Sequence, residues 1–176
     1  MKRLFAVTLA GFFATGVLAQ AQTSPANGPT DPQIAMIVVT ADNVDIAAGK
    51  LAAKKSSNPK VKEFAELMVR DHTSVNKQAT ELAKKLNLTP EQSPTSRSLK
   101  SDGDKTLAKL RRLKGAEFDK AYIDNEVTYH EAVIKAIDET LIPNAKNSDL
   151  KTLLESGKPI FVSHLDHAKE VQSSLK

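Results

Sequence analysis

The chain carries four histidines, at positions 72, 130, 164 and 167, and no cysteine. Imidazole changes protonation near neutral pH and is the commonest side-chain ligand of transition metals. Without thiols, imidazole and carboxylate are the strong metal donors left. Disulfides, a cysteine nucleophile and lipid attachment at a processed cysteine are all excluded. Three of the histidines fall inside apolar stripes that advance by alternating steps of four and three residues. The first stripe is Val61, Ala65, Met68, His72, Val75, Ala79, Leu82 and Leu86. The second is Ile123, Val127, His130, Ile134, Ile137 and Leu141. The third is Leu150, Leu154, Gly157, Phe161, His164, Ala168, Val171 and Leu175. That stepping marks the core seam of a helix. A fourth stripe, Ile34, Val38, Ala41, Asp45, Ala48 and Ala52, holds a carboxylate in the same place.

Each stripe thus carries one polar group near its middle. In matched helices packed side by side, midpoints share one level whichever way the helices run. Asp45, His72, His130 and His164 are therefore expected in one layer. Glu126 lies one turn before His130, and His167 lies three residues after His164, so both join the candidate ligand set. Asp71 and Tyr122 are candidates to orient an imidazole from outside. Burying several polar groups without partners is costly, and two arrangements relieve it. One is a transition-metal ion, with zinc, copper, nickel or iron suiting imidazole and carboxylate donors. The other is a metal-free polar layer, bonded within itself, in a non-catalytic envelope or stress-related module that binds a partner. A competing stripe in the first helix, Ile37, Ala41, Val44, Ala48 and Leu51, turns Asp45 toward the rim. A di-iron site is a poor fit, because it requires Glu-x-x-His pairs and the chain contains none. No nucleophile elbow, phosphate-binding glycine loop or other catalytic motif is present, so no motif points to an enzyme.

The elements that must position these groups are helical. Asp31-Pro32 and Asn58-Pro59 each read as a cap followed by a first-turn proline, starting helices that run to about Ser56 and Asn87. The short gap between them makes an antiparallel hairpin. Residues 88–105 contain two prolines, a glycine and several serines and read as irregular, with a short helix over 104–113. A third long helix is expected over 116–142 and a fourth over 148–175, kinked or broken near Pro159. No segment alternates as a strand does. The expected fold is all-α: a ferritin-like four-helix bundle with a long connection between helices two and three that contains a short extra helix.

The N-terminal segment has a different character. Lys2 and Arg3 precede an uncharged apolar run, Leu4 to Ala19, closed by Ala19-Gln20-Ala21. This is the pattern of a signal peptide over 1–21, followed by a flexible lead-in over 22–30 and a single domain over 31–176. Export to the periplasm or beyond is expected, with no integral membrane segment after cleavage. The net charge of +4 includes Lys2 and Arg3, leaving about +2 without them. The basic residues elsewhere are pairs and not tracts, so nucleic acid is not an expected partner.

The blocks "VDIAAGKLA" (44–52), "VKEFAELMVRDHTSVNKQATELAKKLNL" (61–88), "GAEFDKAYIDNEVTYH" (115–130) and "HLDHAKE" (164–170) resemble the bacterial family known as domain of unknown function 4142. The resemblance spans roughly residues 32–175. It implies a ferritin-like helical fold and export, and it carries no established activity. Members are often labelled outer membrane proteins, but the helical pattern here argues against a barrel. Where the family carries a further acid in helix one, this chain has Ala47 beside Asp45.

Overall fold

The computed structural model describes residues 28–175. The predicted signal peptide and most of the predicted lead-in lie outside the described residues. Six helices follow in order: α1 (Asp31–Lys55), α2 (Pro59–Lys85), α3 (Pro94–Arg112), α4 (Gly115–Ala136), α5 (Ile142–Asn144) and α6 (Ser148–Ser174). A π-helical turn, Ile137–Leu141, joins α4 to α5. No strand occurs among the described residues.

Side-chain caps start α2 and α6. Asn58 accepts from the backbone N–H of Lys60 at 3.0 Å, and Asn147 from those of Asp149 and Leu150 at 2.9 and 3.1 Å. Each side chain satisfies donors that the first turn leaves free. The cap of α1 is Thr30, one residue before the expected Asp31. Asp31 instead accepts from the backbone N–H groups of Lys146 and Asn147, tying the start of α1 to the approach to α6.

Two expectations are corrected. The stretch 88–105 is irregular only as far as Ser93; α3 begins at Pro94 and is 19 residues long. Ser93 and Ser96 exchange hydrogen bonds at its start, with Ser93 accepting from the Ser96 N–H at 3.1 Å and Ser96 from the Ser93 N–H at 2.9 Å. The prolines and serines that read as a loop are thus a helix start. Pro159, in turn, does not break α6, which runs through it as one helix of 27 residues. A proline inside a helix costs about 3 kcal/mol. Buried Leu154 and Phe161, one on each side, belong to the same apolar cluster and hold both halves in line.

Two apolar clusters fix the direction of every helix. The first joins Ala52, Val61, Phe64, Met68, Leu110, Phe118, Tyr122 and Val171. The second joins Ile34, Ile37, Val75, Ile137, Leu141, Leu150, Leu154 and Phe161. The first cluster therefore collects the end of α1, the start of α2, the start of α4 and the end of α6. The second collects the opposite ends. So α1 is antiparallel to α2, and α4 to α6, while α2 and α4 run the same way. The chain must return the whole length between α2 and α4, and α3 does so. Its Leu99 packs on the second cluster and its Leu107 on the first.

Helix α3 lies against α1. At Gly103 the backbones come so close that an added Cβ would sit 2.7 Å from Val44 Cγ1. Helix α1 is thus walled by α2 on one side and α3 on the other. That is why it shows two competing stripes. Asp45 is on the buried one, at 1% exposure. Among the described residues no helix is long and apolar enough to cross a membrane.

Candidate metal centre

Between the two apolar clusters lies a polar layer. His72 and His130 come from the middle of α2 and the second half of α4, and His164 from α6 just past its midpoint. Asp45 and Asp42 come from α1, and Glu126 from α4. All six are buried. The imidazoles form a nearly equilateral triangle, with ring centroids 5.6 Å apart for His72 and His130, 5.2 Å for His72 and His164, and 5.5 Å for His130 and His164. The Phe161 ring closes over them, 5.3 Å from His72 and 6.4 Å from each of the others. His72, His130 and His164 each offer a ligand atom within 4.8 Å of the others, and so do Asp45, Glu126 and His130.

Each ring is held from outside by an oxygen. His72 donates Nδ1–H to Asp42 Oδ1 at 2.9 Å. His130 donates Nδ1–H to the backbone carbonyl of Glu126 at 2.9 Å. His164 donates Nε2–H to Asp71 Oδ2 at 3.1 Å. A carbonyl or carboxylate oxygen can only accept, so the outer nitrogen carries the proton. The inner nitrogens of neutral His130 and His164 then present lone pairs. This outer bond to an acceptor is what orients metal-ligating histidines.

The inward atoms face one another. His72 Nε2, His130 Nε2, His164 Nδ1, both Asp45 oxygens and Glu126 Oε2 are buried with no hydrogen-bond partner. Asp45 Oδ2 lies close against His72 Nε2 as an ion pair, without hydrogen-bond direction, and 3.9 Å from His130 Nε2. Acceptors from α1, α4 and α6 thus converge on the charge that His72 brings from α2.

The charges follow from this crowding. Burial opposes an imidazolium at His72, but Asp45 and Asp42 overcome it and raise its pKa to about 10. Burial likewise opposes an ionised Asp45, and His72 outweighs that and holds it as a carboxylate. Burial, with the Asp45 charge beside it, pushes the Glu126 carboxyl well up and favours its protonated form. Burial lowers His164 to about 4, aided by the charges of His72 and His130. Burial also lowers His130. Without a metal, the layer's positive charge is therefore the proton on His72.

The residues singled out in the sequence divide clearly. Asp45, His72, His130, His164 and Glu126 meet in the layer. His167 does not; it packs edge-on against Phe64, with centroids 5.3 Å apart. Three residues carry a helix about 300° round, so His167 leaves the inward face that His164 occupies and sits almost a turn lower. Asp71 does orient an imidazole, that of His164 and not its neighbour His72. Tyr122 orients none; it sits between Phe64 and Phe118 with its hydroxyl unpartnered. Asp42 was not legible as a site residue. Its signal was its place one turn before Asp45, on the flank of the first stripe that faces α2.

Comparison with curated proteins and with solved structures finds no significant match. The profile of the family described as "Domain of unknown function (DUF4142)" matches residues 16–171.

Proposed function

The chain belongs to the DUF4142 family, and from that premise we propose that it is an exported, ferritin-like four-helix bundle that binds one transition-metal ion. His72, His130, His164 and Asp45 are the ligands, and Glu126 is a further oxygen donor once it loses its proton. The observation that supports this most is the direction of the lone pairs. Two imidazoles are locked with their free nitrogens inward and a third sets its inner nitrogen against Asp45, so a cation has three nitrogens and a carboxylate to meet. Such a donor set suits zinc, copper, nickel or iron, and it is too rich in nitrogen for calcium or magnesium. The ion would take the place of the proton on His72, leaving Asp42 and Asp71 to orient the rings from behind.

The alternative, a metal-free polar layer, is favoured by one feature, the pairing of His72 with both Asp42 and Asp45. It leaves His130 Nε2, His164 Nδ1 and Glu126 Oε2 without partners. Unpartnered buried groups cost about 1–3 kcal/mol each. Metal analysis of untagged protein decides between the two. About one ion per chain, lost in His130→Ala, supports the proposal. Far less than one ion per chain, with thermal stability unmoved by chelator, overturns it. Mass analysis of secreted or periplasmic protein tests export, which predicts a mature chain starting at Gln22.

A further inference from the structure

The second apolar cluster is not filled. Beside the histidine layer it leaves a partly open cavity of about 250 Å³, lined by Val38, Leu99, Val133, Ile137, Leu154 and Phe161 among others. The π-helical turn helps to open it, since Ile137, Thr140 and Leu141 all line the wall. Gly157 faces it without a side chain, and a Cβ there would meet only Phe161, at 3.8 Å. Two ionisable groups reach this wall, Asp42 and Tyr129. Asp42 lines the cavity at 1% exposure, and its Oδ2 has no partner, because only Oδ1 is used by His72. The half-buried Tyr129 hydroxyl already donates to the Ala41 carbonyl at 2.9 Å. Thr95 and Thr140, both exposed, mark the rim.

We propose that this cavity is a binding site for a small, neutral, apolar molecule ending in a hydroxyl, whose O–H donates to Asp42 Oδ2. The wall is almost wholly hydrocarbon, so the ligand's body is too. A cavity of about 150 Å³ takes up benzene, so this one holds ~10 heavy atoms. The free Asp42 oxygen only accepts, so the ligand's end must donate. A ligand carboxylate would face the Asp42 carboxylate and is rejected. An ammonium would have to shed its hydration in a dry cavity, which favours the neutral donor. The site does not depend on the metal reading, although Asp42 joins the two through His72.

The test compares two isomers with the full chain, both metal-loaded and chelator-treated. 1-Octanol has the donor; dibutyl ether has the same atoms and none. Calorimetric titration is expected to show octanol binding at least about tenfold tighter, as a hydrogen bond to a charged acceptor confers. Octanoate is expected not to bind. The His72 Nδ1 resonance is expected to shift on adding octanol, because Asp42 carries both bonds. Gly157→Leu, which fills the cavity, is expected to abolish octanol binding while metal content stays unchanged. Absence of octanol binding overturns the site. Equal binding of the ether, or tighter binding of octanoate, overturns the role of Asp42. Octanol binding that survives Gly157→Leu places the ligand elsewhere and overturns the assignment to this cavity.

Discussion

The two apolar clusters flank the same histidine layer and are packed to different standards. On the side where α2 begins, Val61, Phe64, Met68, Phe118, Tyr122 and Ile123 all reach 0% exposure, and their rings stack edge to face and face to face. On the other side Val75 and Phe161 still show 8%, and the space between the helices holds the cavity. The dense half clamps α2, α4 and α6 within a turn or two of His72, His130 and His164, so it can fix where the rings stand. The hollow half leaves one side of the layer approachable. Rigidity and access are thus divided between the two ends of one molecule.

Substitutions can break or sharpen that contrast. The largest effect is expected in the layer itself. His72→Ala leaves Asp42 and Asp45 buried without their cation, and stranding a buried charge costs about 3–5 kcal/mol. Denaturant titration should show that loss alongside loss of bound metal; a mild change would mean that the layer is wetter than its burial implies. Next, the same substitution in the two halves should differ. Phe64→Ala is expected at the upper end of the ~3–5 kcal/mol range for a buried phenylalanine, and Phe161→Ala at its lower end, because its surroundings are already open. Equal losses would erase the distinction between the halves.

Glycines give a smaller and opposite pair. Gly103→Ala forces a methyl onto Val44 and is expected to cost about 1–3 kcal/mol. Gly157→Ala makes only an ordinary contact with Phe161 and is expected to gain ~0.5–1 kcal/mol from helix propensity. Thermal melts of both, with Val44→Ala added to rescue the first, read this out. The smallest effect is a slope with pH in metal-free protein. The pKa of His72 is raised to about 10 in the fold, so its contribution is full below its unfolded value of about 6.5 and is lost as pH rises toward 10. Glu126, also raised, acts in the same direction. Stability measured from pH 7 to 10 should therefore fall, and His72→Gln should flatten the curve. A rise would place the proton elsewhere in the layer.

Much of this layer was legible because three helices present one face each. On α2, α4 and α6 a single stripe with one polar interruption suffices, and His72, His130 and His164 stand where that stepping puts them. Helix α1 is packed on two sides, so no one stripe describes it. Asp45 lies on the first stripe, while Asp42 stands outside both stripes, on the flank that faces α2. Helix α3 was half-hidden for another reason. It buries only Ser96, Gly103 and Leu110, so a reading based on large apolar residues sees just its end. The cavity had no sequence signal at all. It depends on a π-helical turn and a missing side chain at Gly157, and neither disturbs the periodicity around it.

The layer's bonds join residues far apart in the chain: 30 positions separate Asp42 from His72, and 93 separate Asp71 from His164. Closing such loops is slow, and contacts of this kind form after the local ones. The layer is therefore expected to be missing from the transition state for folding. Interactions absent there leave the folding rate alone and act on the way out. Whatever cation fills the layer then works as a latch. It would lengthen the lifetime of the folded chain many-fold while barely hastening its formation, in a protein with no disulfide to do so.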